Sequence, residues 1–135
     1  MSGNSLLEKY VGTKSDATVE TGPEQEPDDL GSFGFLRGTR DRAIMLELRK
    51  KNGNIWAISY AWMERAEFDP SEGITLFAAG QKIRLTGRNL NAEIRRNTRL
   101  FQSLTRHRVT WIQEADEATT MQAGPEETLV ERIEW

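Results

Sequence analysis

Cysteine is absent from the chain, and histidine occurs once, at His107. Without thiols the protein can form neither disulfides nor thiolate metal sites, and one imidazole is too few for a histidine metal cluster. A serine–histidine–aspartate arrangement would depend entirely on His107. Because this residue ends a predicted basic helix, a favourable interaction with the negative end of the helix dipole explains it without chemistry. The sequence therefore predicts no metal, no cofactor and no enzymatic activity.

Apolar runs long enough to cross a membrane are also missing. The longest apolar runs, such as residues 55–63, are far shorter than the roughly 20 residues that span a bilayer. The first residues lack the basic start and apolar stretch of a secretory signal. The absence of cysteine is compatible with a reducing compartment. We therefore expect a cytoplasmic protein without a membrane partner.

The net charge of −3 conceals three segments of opposite sign. Residues 1–32 contain two basic and seven acidic residues, a net charge of −5. Residues 33–112 contain fifteen Lys or Arg against seven Asp or Glu, a net charge of +8, and residues 113–135 carry −6. A basic centre between two acidic arms indicates an interaction surface more than a catalytic centre.

The composition divides the chain into an acidic arm of residues 1–32, a domain of residues 33–113 and a second acidic arm of residues 114–135. Within the arms, residues 13–32 and 114–124 are rich in acidic, small and polar side chains. Such segments bury too little apolar surface to offset the entropy cost of ordering the chain. We expect both segments to be disordered.

Each arm also contains a short group of apolar residues. These groups are Leu6, Leu7, Tyr10 and Val11 in the first arm, and Leu129, Val130, Ile133 and Trp135 in the second. The spacing of the second group suits either a short helix or an edge strand. We expect each group either to dock on the domain or to bind another protein as a linear motif.

A hairpin is the clearest local prediction in the domain. Residues 44–49 alternate between two kinds of side chain, with the period of two expected of a strand. Asn52 and Gly53 follow, and both tolerate the positive φ of a two-residue type I′ turn. With such a turn Leu48 lies opposite Ala57. One face then carries Ile44, Leu46, Leu48, Ala57, Ser59 and Ala61, and the other carries Met45, Glu47, Arg49, Trp56, Ile58, Tyr60 and Trp62.

A second hairpin is predicted from residues 74–77 and 82–85. Its connection contains Ala79 and Gly80, and either a two-residue turn or a three-residue loop with Gly80 in a bulge fits the spacing. The preceding segment, with Pro after Asp69 and then Gly73, is typical of a turn.

The apolar period changes to that of a helix after Gly87. Leu90, Ile94, Phe101 and Leu104 fall on one face at 3.6 residues per turn, which predicts a helix over residues 89–106. Residues 108–113 then return to a strand pattern. The predicted fold class is α+β: a small antiparallel sheet of four to five strands, built from two hairpins, with one amphipathic helix and flanking disordered arms.

Two groups of side chains are candidates for binding. The first consists of Arg88, Arg95, Arg99 and Arg106, which lie opposite the apolar face of the predicted helix. Their guanidinium groups suit bidentate contacts with phosphate or carboxylate, although an ordinary solvated helix face has the same pattern. The second consists of Trp56, Tyr60 and Trp62, which alternate on one predicted strand face. Aromatic side chains in this arrangement serve as core, self-association surface, peptide groove or base-stacking platform.

The charge pattern and the missing catalytic groups together favour a non-enzymatic protein-interaction module. It is expected to bind a protein partner or itself through the aromatic sheet face or the Arg-rich helix face. The alternative is a nucleic-acid-binding domain whose acidic arms compete for the basic centre and inhibit binding.

Overall fold

The computed structural model describes residues 26–135. In this range the strands are β1 (Asp28–Asp29), β2 (Phe33–Phe35), β3 (Met45–Arg49), β4 (Ile55–Ser59), β5 (Met63–Asp69), β6 (Gly73–Ala78), β7 (Gln81–Arg88), β8 (Val109–Gln113) and β9 (Leu129–Glu134). The helices are α1 (Leu100–Thr105), α2 (Glu117–Gln122) and one 3-10 turn (Tyr60–Trp62). Residues 1–25 of the predicted N-terminal arm, including its apolar group, lie outside the described residues. In the described part, β1 pairs with β2, which corrects the prediction of disorder there.

The strands form two sheets instead of the single sheet that the sequence predicts. The first has the order β1-β2-β8-β3-β4, and the second has the order β5-β6-β7-β9. β3 and β8 are parallel, and the other neighbours are antiparallel. The 3-10 turn carries the chain from the first sheet to the second. The mixed, sheet-rich class is therefore confirmed, whereas one sheet covered by one amphipathic helix is not.

The hydrophobic core is built from both sheets and α1. Its fully buried side chains are Phe33, Leu46, Leu48, Ile74, Leu76, Ile83, Leu85, Leu100, Leu104, Val109, Ile112, Val130 and Ile133. Alternate residues of β3, β6 and β7 point into this core, since side chains of a strand alternate between its two faces.

The first hairpin forms where it is predicted, but its register is shifted by one residue. The Lys50 amide donates to the Asn54 carbonyl at 2.8 Å, so three residues form the loop, and Gly53 has a φ of +97°. A three-residue loop that ends in a residue with positive φ is a common hairpin connection. As a result Leu48 lies opposite Trp56 and not opposite Ala57. The prediction of the two hairpin faces is therefore wrong, because a one-residue shift moves every side chain of β4 to the other face.

The second hairpin has the two-residue turn, one of the two alternatives predicted. Ala78 pairs with Gln81, and Ala79 and Gly80 between them have φ values of +53° and +79°. Positive φ at both central positions is the geometry of a type I′ turn. Ala79 adopts it although a Cβ disfavours this region. The turn between Asp69 and Gly73 also forms as predicted.

The predicted helix over residues 89–106 is wrong in its first half. Only α1 is helical, and Asn89 and Asn97 have φ values of +57° and +59°, which an α-helix does not accommodate. Leu90 is nevertheless buried, because its carbonyl accepts a hydrogen bond from the Phe101 amide and holds the segment against the core. The helical spacing of apolar residues is thus satisfied by a loop that packs on α1.

The C-terminal segment is folded, which corrects the prediction of disorder over residues 114–124. This segment contains α2, and β9 then pairs with β7 in the second sheet. The apolar group at the end of the chain therefore docks on the domain, as the edge-strand alternative requires. Glu114 is buried, and its carboxylate accepts hydrogen bonds from the amides of Lys51 at 2.9 Å and Ile133 at 2.8 Å. The domain limits at 33 and 113 stay a prediction, but ordered strands lie on both sides of them.

Replacement of Leu46 by alanine is expected to destabilise the fold strongly. Leu46 is fully buried, so Leu46→Ala removes core contacts and leaves a cavity that costs about 2–5 kcal/mol of unfolding free energy. Met45 is the matched control, since it lies next to Leu46 on the exposed face, and Met45→Ala should cost about 0.5 kcal/mol or less. Urea denaturation of both variants measures the difference. Equal costs would contradict the assignment of the two faces.

Candidate functional site

Tyr60 belongs to the core and not to an exposed aromatic face. It is 3% exposed, its hydroxyl donates to the Val109 carbonyl at 2.6 Å, and its ring stacks on His107 at 4.5 Å between centroids. Burial raises the pKa of the Tyr60 phenol. His107 has a φ of +57° where the chain leaves α1, so its position is explained by the helix end and the Tyr60 stack. The Tyr60 ring is therefore not available to a ligand.

Trp56 and Trp62, the other two predicted aromatic residues, point in different directions. Trp56 is half-buried on the core side of β4, and its ring lies 5.1 Å from that of Trp135. Trp62 lies in the 3-10 turn and is 63% exposed. The structure therefore does not bring Trp56, Tyr60 and Trp62 together on one surface. The shifted hairpin register and the turn after β4 are the physical reasons.

The four predicted arginines do not form a stripe on one helix. Arg88 lies on β7, Arg95 lies in the loop before α1, and Arg99 and Arg106 flank α1. Three of them have acidic partners: Arg88 pairs with Glu131, Arg95 with Asp28, and Arg99 with Glu93. The hydrogen bond from Arg95 is the main reason why the pKa of the Asp28 carboxyl is lowered. Arg106 is exposed and forms no ion pair with residues 26–135.

A different group of arginines lies together at the junction of α1 and β8. Arg108 is half-buried over the Phe35 ring at 4.7 Å, and its Nε donates to the Leu36 carbonyl at 2.8 Å. The Ala43 amide donates to the His107 carbonyl at 2.6 Å, so the backbone brings Arg42 near Arg106 and Arg108. Burial lowers the pKa of Arg108, the positive charges of Arg42 and Arg106 lower it further, and the negative charge of Asp41 opposes this shift. We call Arg42, Arg106 and Arg108 the basic cluster.

The edge of the first sheet at β4 presents backbone groups without a partner strand. Hydrogen bonds join Lys50 to Asn54 at 2.8 Å and Tyr60 to Ile44 at 3.0 Å. Because bonded and non-bonded pairs alternate in an antiparallel ladder, the residues at odd positions of β4 direct their N–H and C=O groups away from β3. These residues are Ile55, Ala57 and Ser59. Within the part of the chain that the structure describes, no other strand pairs with this side of β4.

The other edges of the two sheets are protected. β1 is only two residues long, and β5 carries the charged residues Glu64, Arg65, Glu67 and Asp69. The outer side of β9 is occupied by the segment that follows β8: the Ala115 amide donates to the Val130 carbonyl, and Glu114 accepts from the Ile133 amide. Short length, charge and coverage are the usual ways in which proteins prevent unwanted strand pairing. β4 is a five-residue strand without a charged side chain, and within the described range no strand covers its outer edge.

Exposed apolar side chains accumulate around the same edge. Ile55 is 59% exposed, and Met45 on the neighbouring strand is 43% exposed on the same face of the sheet. Ile44 and Trp62 are exposed near one end of β4. These are four of the six large hydrophobic side chains that are exposed in the described range. We call β4 with these four side chains the open edge.

One cleft of the domain has polar groups in its walls that serve the fold. It has a volume of about 780 Å³ and is bordered by residues 30–32, 93–95, 113–116 and 126–129, with Lys51 and Thr119 at its sides. Its acidic groups hold backbone amides: Glu93 accepts from Asn97, and Asp116 caps α2 through Thr119. Among residues 26–135 no three acidic or histidine side chains are placed to hold a metal ion. We assign no chemistry to this cleft.

Comparisons with known proteins leave the function to be argued from this geometry. No protein-family model, curated protein or solved structure matches the chain. Over residues 26–135, no helix combines the length and the apolar character that a membrane crossing requires.

The open edge and the basic cluster were both missed at the level of sequence. A signal for the edge existed, because residues 55–63 contain no charge, whereas strands that end as protected edges usually carry some. The basic cluster had no comparable signal, since Arg42 comes from a loop far from Arg106 in the chain. Only the pairing of the segment after α1 with the residues before β3 brings them together, for instance through the Ala43 amide and the His107 carbonyl.

The core position of Tyr60 predicts a stability effect that an exposed aromatic residue would not have. Tyr60→Phe removes the donor to the Val109 carbonyl in a buried site and is expected to lower the unfolding free energy by about 1–3 kcal/mol. Trp62→Ala, at an exposed position, should change it by about 0.5 kcal/mol or less. Chemical denaturation at low protein concentration measures both. A neutral Tyr60→Phe variant would show that this hydrogen bond does not stabilise the fold.

Proposed function

We propose that the protein is a non-enzymatic interaction module that binds a protein partner or itself by adding a strand to the open edge. The observation that carries this proposal is the outward row of backbone groups on Ile55, Ala57 and Ser59, with which no strand among residues 26–135 pairs. In strand addition the main-chain hydrogen bonds supply affinity, and the alternating side chains supply specificity. We place this function in the cytoplasm, in keeping with the absence of cysteine.

The side chains around the open edge support binding of an apolar strand. On the outer face Met45 lies opposite Ser59 at one end of β4, and Ile55 is exposed at the other end, so an added strand gains contact with apolar side chains at both ends as well as hydrogen bonds. Between these ends Glu47 lies opposite Ala57 and Arg49 opposite Ile55, and the two charged side chains form an ion pair at 2.9 Å.

Trp62 is the one predicted aromatic binding residue that stays on the surface near this edge. Exposed tryptophan is enriched among residues that dominate binding energy, because one side chain covers a large area. Its position in the 3-10 turn after β4 places it at the end of the edge where an added strand begins or ends. We therefore propose Trp62 as an anchor for the partner, whereas Trp56 and Tyr60 support the edge from the core side.

The proposal predicts that a proline at position 57 abolishes binding without unfolding the domain. Proline is tolerated on edge strands whose N–H faces solvent, since no ladder bond is lost. Ala57→Pro removes the central outward donor of the open edge, and Ala57→Val keeps it. Proteins captured by the full chain in cells, copies of the chain included, are identified and then tested for direct binding to each purified variant.

Partners that bind the native chain and Ala57→Val but not Ala57→Pro support the proposal. Denaturation curves of the two variants, run in parallel, show whether both are folded. Retention of every partner by a folded Ala57→Pro chain would contradict binding at this edge.

The nucleic-acid alternative has support from the basic cluster, a different set of arginines from the one predicted. Arg42 and Arg106 are exposed, and no acidic side chain among residues 26–135 forms an ion pair with them. Repulsion between like charges is relieved when an anion binds between them, and guanidinium groups suit phosphate. As a second candidate we propose that this cluster binds the backbone of a nucleic acid, with the acidic arms as competitors.

Charge reversal in the basic cluster tests this second candidate. Arg42→Glu with Arg106→Glu should weaken binding of the full chain to single- or double-stranded nucleic acid and reduce the salt slope by about 2. Arg65→Glu with Arg132→Glu changes the net charge equally on the second sheet and is the matched control. Absence of binding at low salt, or equal loss in both variants, would exclude a role for the cluster.

A further inference from the structure

We infer that a second copy of this chain occupies the open edge, with β4 pairing antiparallel to β4 of its copy about a two-fold axis at Ala57. This inference rests on the proposed function of the open edge and names its partner. The first sheet of one copy and the first sheet of the other then form one continuous sheet across the dimer. Symmetric pairing of a surface with itself is the commonest route to a protein dimer.

The backbone register of β4 is compatible with this symmetry. The outward residues Ile55, Ala57 and Ser59 are spaced by two, and outward groups in an antiparallel pair must meet outward groups of the partner. An axis at Ala57 places Ala57 opposite itself and Ile55 opposite Ser59 of the second copy. Each of these pairs exchanges two hydrogen bonds, so every outward N–H and C=O group of both strands gains a partner.

The side chains of β4 also fit a second copy. At the axis the two Ala57 side chains lie on the outer face, where they project away from the plane of the paired strands. On the inner face the same register sets the half-buried Trp56 beside Ile58 of the second copy. An aromatic residue beside a β-branched residue is a stabilising cross-strand pair. Pairing therefore covers apolar surface on Trp56 that one chain leaves accessible.

Charge does not oppose the association of two copies. β4 has no ionisable side chain, so no like charges meet across the axis. On the neighbouring strand Glu47 and Arg49 form an ion pair at 2.9 Å. The Lys50 ammonium, whose residue pairs with Asn54 just before β4, lies 4.7 Å from the Trp135 ring. The two copies of β3 would lie three strand spacings apart, roughly 14 Å, which exceeds the screening length of about 8–10 Å at physiological salt. β4 itself therefore presents no charge that repels a second copy.

The size of the pairing predicts a weak dimer. β4 contributes five residues, and interfaces of this kind fall below the area of standard stable complexes. Sedimentation equilibrium of the full chain over a wide concentration range should therefore show a mass that rises from one chain to two. Ala57→Pro should remain at the mass of one chain throughout, and Ala57→Val should associate like the native chain.

A single introduced cysteine tests the register, because the native chain has none. Residues opposite each other in a bonded antiparallel pair have Cα atoms about 5.5 Å apart, within the range of about 4.4–6.8 Å that a disulfide requires. Ala57→Cys should thus form a covalent dimer quickly under mild oxidation. Ala61→Cys is the matched control. Ala61 is also exposed but lies beyond β4, so the Ala61 residues of the two copies would lie at opposite ends of the paired strands.

The outcomes separate the self-pairing from the proposed function. Concentration-dependent dimers that Ala57→Pro abolishes and Ala57→Cys traps support the inference. A monomer with rapidly exchanging amides at Ile55, Ala57 and Ser59 overturns self-pairing but leaves the edge for another protein. A monomer in which these amides are protected shows that the chain covers its own edge, and this overturns both. A dimer that persists in Ala57→Pro overturns pairing through β4.

Discussion

The register of the β3–β4 hairpin is the constraint on which the remaining structure depends. The three-residue loop ending at Gly53 aligns Leu46 with Ile58, so both side chains enter the core. The same alignment fixes which backbone groups of β4 bond to β3 and which face outward. A shift by one residue would send Ile58 to the surface and reverse the outward groups. Core formation and the open edge are therefore consequences of one loop length.

Glu114 provides the second constraint, because its buried carboxylate ties the two sheets together. Its oxygens accept hydrogen bonds from the amide of Lys51, in the loop of the first hairpin, and from that of Ile133 in β9. A buried carboxylate is costly unless such donors satisfy it, so the chain must bring all three segments together. The contact also occupies the outer side of β9 and removes a second open edge. The acidic composition of residues 113–135 thus conceals a residue with a structural role.

Local patterns in the sequence predicted the two hairpins and the strand that follows α1, but not β1, β2 or β5, and non-local contacts decided the rest. The alternation at Leu46 and Leu48 and the turn residues Ala79 and Gly80 located both hairpins. The predicted helix over residues 89–106 is too long, because the apolar spacing alone does not reveal the positive φ at Asn89. The side-chain amide of Asn89 donates to the carbonyls of Pro125 and Glu127. These contacts join distant segments, which explains why neither the loop nor the folded C-terminus could be inferred from composition.

The uncharged run over residues 55–63 was a sequence signal for the candidate site, but its place at a sheet margin could not be predicted, because an edge is a property of topology. Residues 55–59 would have the same sequence in the middle of a sheet, and only the order of strands leaves them at its margin. That order also limits assembly. When a single unprotected edge pairs with its own copy about a two-fold axis, the interface is closed and no equivalent edge remains to extend it. The charges on β5, the shortness of β1 and the cover on β9 prevent further growth. An uncharged edge strand, normally an aggregation hazard, is compatible here with one defined partner.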